Sequence, residues 1–331
     1  MMKKVFFAAF VLFIVMGFAA CSNKQVPVST VNLQLQNSVD SLLKQGMGEY
    51  GATEGMAIVV ETSTGNLRAM VGLKENSGKL VSDTTLFFKA RETFLFRSAS
   101  LLAALETGNV SLDDMFDTYA GIDVVGQDTI YDHNWRKGGY GELTLLQGLA
   151  YNSSIAIDKA VDVAYQDKKD VFLQKLEQMG LEKDSTFKGS WPLYALGFAD
   201  VKPVNFVSFF NAIANGGKMV SLKSQDSSAI VVDSMIAEKK NIESMKKAFR
   251  FYVTNGLGKK AESKMVNVAG TSGSIHTEDG IYADFCGYFP AERPKYTVFV
   301  SYKRLETPAS GGGMAGQTFR KIAEQIMKTC K

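Results

Sequence analysis

The sequence has little proline, histidine or cysteine and almost no excess of either charge. Its 331 residues include 6 prolines, 2 histidines and 3 cysteines. The scarcity of proline and the lack of any low-complexity tract exclude collagen-like and disordered chains. Two histidines and three cysteines are too few for a convincing structural zinc site. What remains is an ordinary globular composition, 46% apolar and 21% charged, that fits one large domain or two small ones.

The charge balance argues against nucleic acid as a partner. The formal charge is +3, and two of the positive charges, Lys3 and Lys4, lie in a segment that we expect to be removed. The other 35 basic residues face 34 acidic ones, which leaves a net charge of +1. Nucleic-acid-binding proteins normally carry a strong basic excess, so this class is excluded.

The first 20 residues predict a signal peptide. Lys3 and Lys4 precede an uncharged run over residues 5–20, which is shorter than the roughly 20 apolar residues of a membrane-spanning helix. The run ends in Phe18-Ala19-Ala20-Cys21, which resembles the lipobox of bacterial lipoproteins. This resemblance implies acylation of Cys21 and a lipid-anchored protein facing the periplasm or exterior. The alternatives are a plain signal peptide or an uncleaved anchor, with Cys21 incidental. We interpret Cys286 and Cys330 as free thiols.

Residues 21–30 are predicted to form a short tether. Beyond the tether, the spacing of apolar residues predicts strands near both ends of the chain and helices between them. Helices are predicted over residues 33–47, 94–107, 143–164, 168–179, 204–214, 239–253 and 314–327. Strands are predicted over 55–61, 66–73, 265–271, 281–289 and 295–303. The class is therefore α+β. One domain over residues 31–331 would join a sheet subdomain (31–93 and 218–331) to an inserted, mostly helical subdomain (about 94–217).

Several stretches together resemble the transpeptidase domain of class B penicillin-binding proteins, the serine acyltransferases that cross-link peptidoglycan. The similarity runs from about Leu33 to Met327, and the stretches that carry it lie at 57–61, 65–70, 103–108, 138–150, 211–217, 268–270, 287–290 and 311–313. It implies the penicillin-binding protein and serine β-lactamase fold, with an antiparallel five-stranded sheet flanked by helices. No cofactor and no metal are implied.

The chemistry of that family depends on three motifs, and the first has lost both of its reactive residues. In S-x-x-K a serine attacks the carbonyl and a lysine removes its proton. Counting back from residues 103–108 places these positions at Phe94 and Arg97. A phenyl ring has no nucleophilic atom, and an arginine does not act as a neutral base. The S-x-x-K strings at Ser41–Lys44 and Ser244–Lys247 lie elsewhere in the pattern and are assigned to solvated helix surface.

The second and third motifs are also altered. S-x-N corresponds to Asn152-Ser153-Ser154, in which the hydroxyl and the amide have exchanged places. K-T-G corresponds to Thr271-Ser272-Gly273, followed by Ser274, so the cation is gone while a hydroxyl and the glycine remain. His276 would replace some of the charge if protonated. Should the cleft still bind a ligand, we expect Ser153, Ser154, Ser272 and Ser274 to contact it.

These departures favour a catalytically inactive homologue that serves peptidoglycan synthesis as a binding or scaffold protein or as a sensor. Its expected partners are peptidoglycan stem peptides or cell-wall synthesis proteins, together with the membrane that holds the lipid anchor. The alternative is an active serine acyltransferase, a D,D-transpeptidase or carboxypeptidase, whose displaced nucleophile would be Ser98 or Ser154. A third possibility is a vestigial pocket with the function on another surface. Phe94 is expected to occupy the former nucleophile position and to reduce the polarity of the cleft.

Overall fold

The structure is a computed structural model that describes residues 28–166 and 168–329. The predicted signal peptide, Cys21, most of the tether and Cys330 lie outside this range. Within the described residues no helix is both long and apolar enough to cross a bilayer. Cys286 is buried and forms no disulfide among the described residues.

One antiparallel sheet of six strands organises the fold. Its strands are β1 Glu54–Glu61, β2 Leu67–Asn76, β3 Lys79–Ser82, β10 Ala269–Thr277, β11 Gly280–Phe289 and β12 Tyr296–Arg304. They lie side by side in the order β10-β11-β12-β1-β2-β3. The predicted class is confirmed, but the count of five strands is wrong. The sixth, β3, is exposed along its length and pairs with the end of β2 across a turn at Ser77 and Gly78, both with positive φ. It has no buried face, so it left no apolar alternation to read in the sequence.

Most of the helices lie in sequence between β3 and β10. The helices are α1 Leu33–Tyr50, α2 Phe96–Glu106, α3 Leu145–Ala150, α4 Ser154–Tyr165, α5 Lys169–Gln178, α6 Trp191–Leu193, α7 Pro203–Ala214, α8 Lys239–Thr254 and α9 Gly316–Thr329. Short strand pairs lie among them: β4 Met115–Asp117 with β7 Glu142–Thr144, β5 Ile122–Val125 with β6 Asp128–Tyr131, and β8 Met219–Val220 with β9 Val231–Asp233.

The sheet is covered on both faces, and β1 shows how its sequence permits this. Alternate residues of a strand point to opposite sides. Ala57 and Val59 pack with α1 and α9, whereas Met56, Ile58 and Val60 belong to the core shared with the central helices. All five side chains are buried, so β1 is an almost continuous apolar run. The sheet is therefore the middle layer of three.

Three predicted boundaries were wrong in ways that affect the site. The helix predicted from residue 94 begins at Phe96, so Phe94 lies in the turn before it. The helix predicted over 143–164 is broken between α3 and α4 at residues 151–153. The strand predicted over 265–271 runs from Ala269 to Thr277, so the glycine- and serine-rich stretch is inside β10. β10 is an edge of the sheet.

Candidate functional site

A cleft of about 500 Å³ lies where the start of α2, the break before α4, the edge strand β10 and the segment 309–312 meet. The three motif segments discussed in the sequence analysis all contribute to its lining, although they are far apart in sequence. From them the cleft takes Phe94 and Arg97, Asn152 and Ser154, and Ser272, Gly273 and Ser274. His276 lines it as well. The structure therefore brings most of the predicted site residues together.

A buried ion pair holds the segment that leads into α2. Nη1 and Nη2 of Arg91 donate to the two carboxylate oxygens of Asp284 at 2.9 and 2.8 Å. Thr93 Oγ1 donates to the same carboxylate at 2.8 Å and accepts from Leu95 N–H at 3.2 Å. Asp284 is in β11, so this two-pronged pair ties the turn at Phe94 to the sheet. Neither Arg91 nor Asp284 was singled out from the sequence.

Phe94 lines the cleft and brings no polar side-chain atom to it. Its ring lies edge-to-face against Phe198, with the centroids 5.3 Å apart. The turn of Phe94 also packs closely on β10, since a Cβ placed on Gly273 would lie 2.7 Å from the Cβ of Phe94. A glycine is therefore required at residue 273 for α2 to begin where it does.

Arg97 is buried, with 5% of its surface exposed. Its Nη1 donates to the carbonyl of Asn152 at 3.1 Å, and its Cζ lies 3.7 Å from the centroid of the Phe94 ring. Burial lowers the pKa of Arg97 to about 10, and the negative charge of Asp132 opposes that shift. Because this pKa is still above neutrality, Arg97 remains a cation and is not a proton acceptor.

Three polar residues, Asn152, Ser153 and Ser154, lie where α3 and α4 are separated, and the first two of them have structural roles. Asn152 has a positive φ of 54°, and its side chain donates to the hydroxyl of Tyr252 at 3.2 Å. Ser153 is fully buried and caps α4 by accepting from Ala156 N–H at 3.0 Å. The sequence predicts that Ser153 contacts a ligand, but its hydroxyl instead forms this cap and donates to the carboxylate of Asp132 at 2.7 Å. Ser154 does line the cleft.

Asp132 is one of the residues of this site that sequence reasoning missed. Its carboxylate accepts from Ser153 Oγ at 2.7 Å and from Ile155 N–H at 3.3 Å, at the start of α4. Burial raises the pKa of Asp132, while these hydrogen bonds and Arg97 act in the opposite direction. Nothing in the run Asp132-His133-Asn134-Trp135 identifies a helix-capping partner more than 20 residues away in sequence, so no signal was available.

Of the residues on β10 that were predicted to belong to the site, some line the cleft and one is buried in the protein. Thr271 is buried, 2% exposed, and is not part of the lining. The hydroxyls of Ser272 and Tyr252 are hydrogen bonded to each other, and Ser274 Oγ accepts from Gly311 N–H at 2.8 Å. His276 is exposed. The hydroxyls of Ser272 and Ser274, the two on this strand that line the cleft, thus both form hydrogen bonds within the protein.

Ser98, the other candidate nucleophile, is poorly placed, and the two remaining S-x-x-K serines lie on helix surfaces as predicted. Ser98 is 1% exposed, and its Oγ is buried and has no hydrogen-bond partner among the described residues. Ser41 and Ser244 donate to the helix carbonyls of Asn37 and Lys240 at 2.9 and 3.0 Å, as residues of a helix surface do. Among the described residues no lysine lines the cleft. In the same part of the chain, no group of three or more His, Cys, Asp or Glu side chains is arranged to hold a metal ion.

Comparison with known proteins identifies the fold. A family model described as the penicillin-binding protein transpeptidase domain matches residues 55–324. The crystal structure of a peptidoglycan glycosyltransferase from Burkholderia ambifaria is similar, with a TM-score of 0.78 at 19% identity over 92% of this chain and 98% of that chain.

Two further solved structures are similar to this chain. The transpeptidase domain of penicillin-binding protein 3 from Burkholderia pseudomallei has a TM-score of 0.78 at 17% identity, with 94% of this chain and 98% of that chain covered. The transpeptidase domain of the FtsI4 D,D-transpeptidase from Legionella pneumophila has a TM-score of 0.68 at 20% identity, with coverages of 92% and 100%. At such low identity these similarities show a shared fold.

Proposed function

Because the chain belongs to the family of penicillin-binding protein transpeptidase domains, we propose that it serves peptidoglycan synthesis at the cell envelope without catalysing acyl transfer. It would act there as a binding or scaffold protein or as a sensor of wall peptides. Membership of the family, which the sequence resemblance predicts, supports a role in peptidoglycan synthesis. The residues that line the cleft support the absence of acyl transfer.

One observation carries the proposal: the positions where the family's chemistry needs a hydroxyl and a neutral amine hold Phe94 and Arg97. An acyl-enzyme requires an attacking atom and a base within hydrogen-bond reach of it. Phe94 supplies no attacking atom, and Arg97 is a buried cation. Hydroxyls elsewhere in the cleft do not compensate, since in the described residues no lysine stands beside them.

The envelope location and the anchor form part of the same proposal. The charge-free run over residues 5–20 and the small residues before Cys21 support export followed by acylation of Cys21. A lipid-anchored chain would hold its cleft close to the membrane on which wall precursors are assembled.

The partner that fits the cleft is an extended peptide. β10 is an edge strand, and an edge strand offers free backbone groups to which an added strand can hydrogen bond. Its Ser272, Gly273 and Ser274 line the cleft. Peptidoglycan stem peptides, or a segment of a cell-wall synthesis protein, would bind in this way.

Covalent labelling with a fluorescent penicillin tests the inactivity. The purified protein is incubated with the reagent and separated by denaturing electrophoresis, beside an active penicillin-binding protein as the positive control. We expect no fluorescent band, because a non-covalent complex does not survive denaturation. A stable band of stoichiometric intensity would disprove the proposal.

An active enzyme with a displaced nucleophile is the second candidate, and the position of Ser154 in the cleft is what favours it. The matched experiment compares the wild type with Ser154→Ala and Ser98→Ala. If Ser154 is the nucleophile, labelling is present in the wild type and in Ser98→Ala and is lost in Ser154→Ala. Our proposal expects all three proteins to stay unlabelled.

A further inference from the structure

A run of exposed apolar side chains leads into β9. Residues 227–232 carry no charge, and the run ends in Ile230, Val231 and Val232. These three side chains are 59%, 46% and 61% exposed. β9 pairs with β8 alone among the described strands, and consecutive residues of a strand point to opposite sides, so both sides of this strand are open. Three consecutive exposed apolar residues are unusual on a protein surface unless they contact a partner.

The first described residues of the chain attach beside this run. The N–H of Asp226 donates to the carbonyl of Val28 at 2.7 Å, and the N–H of Thr30 donates to the carbonyl of Ser224 at 2.9 Å. Asp226 directly precedes the uncharged run, and Val28 is 71% exposed. The tether therefore joins the domain next to the apolar strand. We call Val28 and Ile230–Val232 together the exit patch.

The separation between Cys21 and the exit patch restricts where a membrane can lie. Cys21, the proposed site of acylation, is seven residues before Val28 in the sequence. Even when fully extended, seven residues span at most about 24 Å. A compact domain of about 300 residues is roughly 50 Å across, so an anchor at Cys21 does not reach from the opposite side of the domain. The membrane that holds the anchor must lie near the exit patch.

From these observations we infer that the exit patch lies in the interfacial layer of that membrane, with its apolar side chains among the lipids. The inference rests on the proposed function, because it requires an acylated Cys21. Apolar surfaces of this kind bury their side chains about 5–10 Å into the boundary between headgroups and acyl chains. The patch itself is uncharged, so it requires no anionic lipid. It gives the anchored domain a second attachment and a defined orientation.

The contact determines which end of the sheet faces the lipid. Lys223 N–H donates to the carbonyl of Gly65 at 3.0 Å, so the exit patch lies at the end of the sheet where β1 turns into β2. By register, β11 has Phe289 at that end. The turn from β10 to β11, with the exposed Glu278, lies at the other end, about 30 Å away along the strand. Glu278 is therefore expected to stay clear of the bilayer.

Quenching of two fluorescent labels by lipid tests the inference. A nitrobenzoxadiazole label is attached to the acylated full chain at Ser234→Cys, just after β9, or at Glu278→Cys. Both variants carry Cys330→Ser, and Cys286 is buried and does not compete for the label. Each protein is reconstituted into phosphatidylcholine vesicles with or without a nitroxide on the lipid acyl chain. We expect the nitroxide to remove at least about half of the fluorescence beside the patch and almost none at residue 278, given the shallow depth of such surfaces.

Substitution of the apolar side chains tests the cause of the contact. The triple variant Ile230→Thr, Val231→Thr and Val232→Thr keeps the β-branched shape that suits a strand and replaces a methyl or ethyl group by a hydroxyl on each side chain. In it we expect quenching beside the patch to fall to the level of the far label. The matched control, Leu80→Thr with Val81→Thr, changes the exposed edge strand β3 and should leave quenching unchanged. Melting temperatures identify a variant that fails to fold, in which case the two labels in the otherwise unchanged chain still decide the question.

Equal quenching of the two labels, or quenching of neither, would overturn the inference. Undiminished quenching in the triple variant would overturn it too. An emission change at residue 234 that grows with protein density but not with nitroxide would assign the patch to a second copy of the chain instead. Failure of the proposed function is recognised separately. A covalent penicillin band shows acyl transfer, and a mass spectrum with Cys21 unmodified removes the anchor and this inference with it.

Discussion

At the residue scale, Phe94 and Arg97 are in direct contact with each other. The guanidinium lies 3.7 Å from the ring centroid, a distance at which a cation is attracted to an aromatic face. Arg97 also holds the carbonyl of Asn152, so the first and second motif positions are joined by a hydrogen bond. Phe94 and Arg97 are thus part of the packing of the protein at the entry of α2.

This coupling predicts that restoring the first motif alone will not restore activity. In Phe94→Ser combined with Arg97→Lys, we expect no appreciable labelling by fluorescent penicillin. The second motif still has its hydroxyl and amide exchanged at Asn152 and Ser154, and the third still lacks a cation at Thr271. In proteases, loss of a single catalytic group lowers the rate by about 10⁴- to 10⁶-fold.

Two controls make this experiment decisive. Each single variant shows whether one change alone alters folding, as judged by its melting temperature. An active penicillin-binding protein in the same gel sets the scale of full labelling. Strong labelling of a well-folded double variant would mean that the altered second and third motifs still support acylation.

At the scale of elements, the Arg91–Asp284 pair fixes the entry of α2 on the sheet. The two residues are 8% and 1% exposed, and Ser301 of β12 accepts a further hydrogen bond from Arg91 at 3.1 Å. The guanidinium also lies over the ring of Tyr282, 4.2 Å from its centroid. Removal of one partner leaves the other charge buried and unpaired, which is the costly case for a buried ion pair.

We therefore predict that Asp284→Ala lowers the free energy of unfolding by about 3–5 kcal/mol. Urea unfolding followed by circular dichroism measures the change. The matched control is Asp40→Ala, which breaks the exposed Lys44–Asp40 pair and should cost less than about 1 kcal/mol. A loss at residue 284 no larger than that of the control would show that the pair does not hold α2 in place.

How accurately a strand was predicted depended on the residue types that it contains. β11 was predicted at 281–289 and is observed at Gly280–Phe289, because nearly every residue in it is buried and apolar or aromatic. β10 was placed four residues too early. Its sequence, with Gly270, Gly273 and four hydroxyl residues, lacks the β-branched and aromatic run by which strands are recognised.

The site was predictable where residues could be counted along one element and not where elements meet. Counting from the end of α2 led to Phe94 and Arg97, which do line the cleft. Asp132 and Tyr252 could not be found in this way, because they reach the site from other segments and belong to no short motif. Ser153 was misjudged since a hydroxyl that caps a helix and one that faces a ligand look the same in a sequence.

At the scale of the molecule, strands from the N-terminal and C-terminal parts of the described chain pair within one sheet. β1 pairs with β12 along its whole length, from Glu54 with Lys303 to Glu61 with Tyr296. The helices inserted between them share one hydrophobic core with the sheet, in which Ile58 and Phe299 pack together with Leu102 and Phe210. Neither part can keep its apolar face covered if the other unfolds.

The shared core predicts that sheet and helical region unfold together. The sequence has two tryptophans, Trp135 and Trp191, both in the helical region, so their fluorescence follows that region during urea unfolding. Hydrogen exchange of peptides from β11 and β12, measured at the same urea concentrations, follows the sheet. Because exposing either half would uncover the other half's apolar surface, we expect coincident midpoints and a single transition. Two transitions separated by more than about 0.5 M urea, which at a typical urea slope is about 1 kcal/mol, would mean that the helical region has a core of its own.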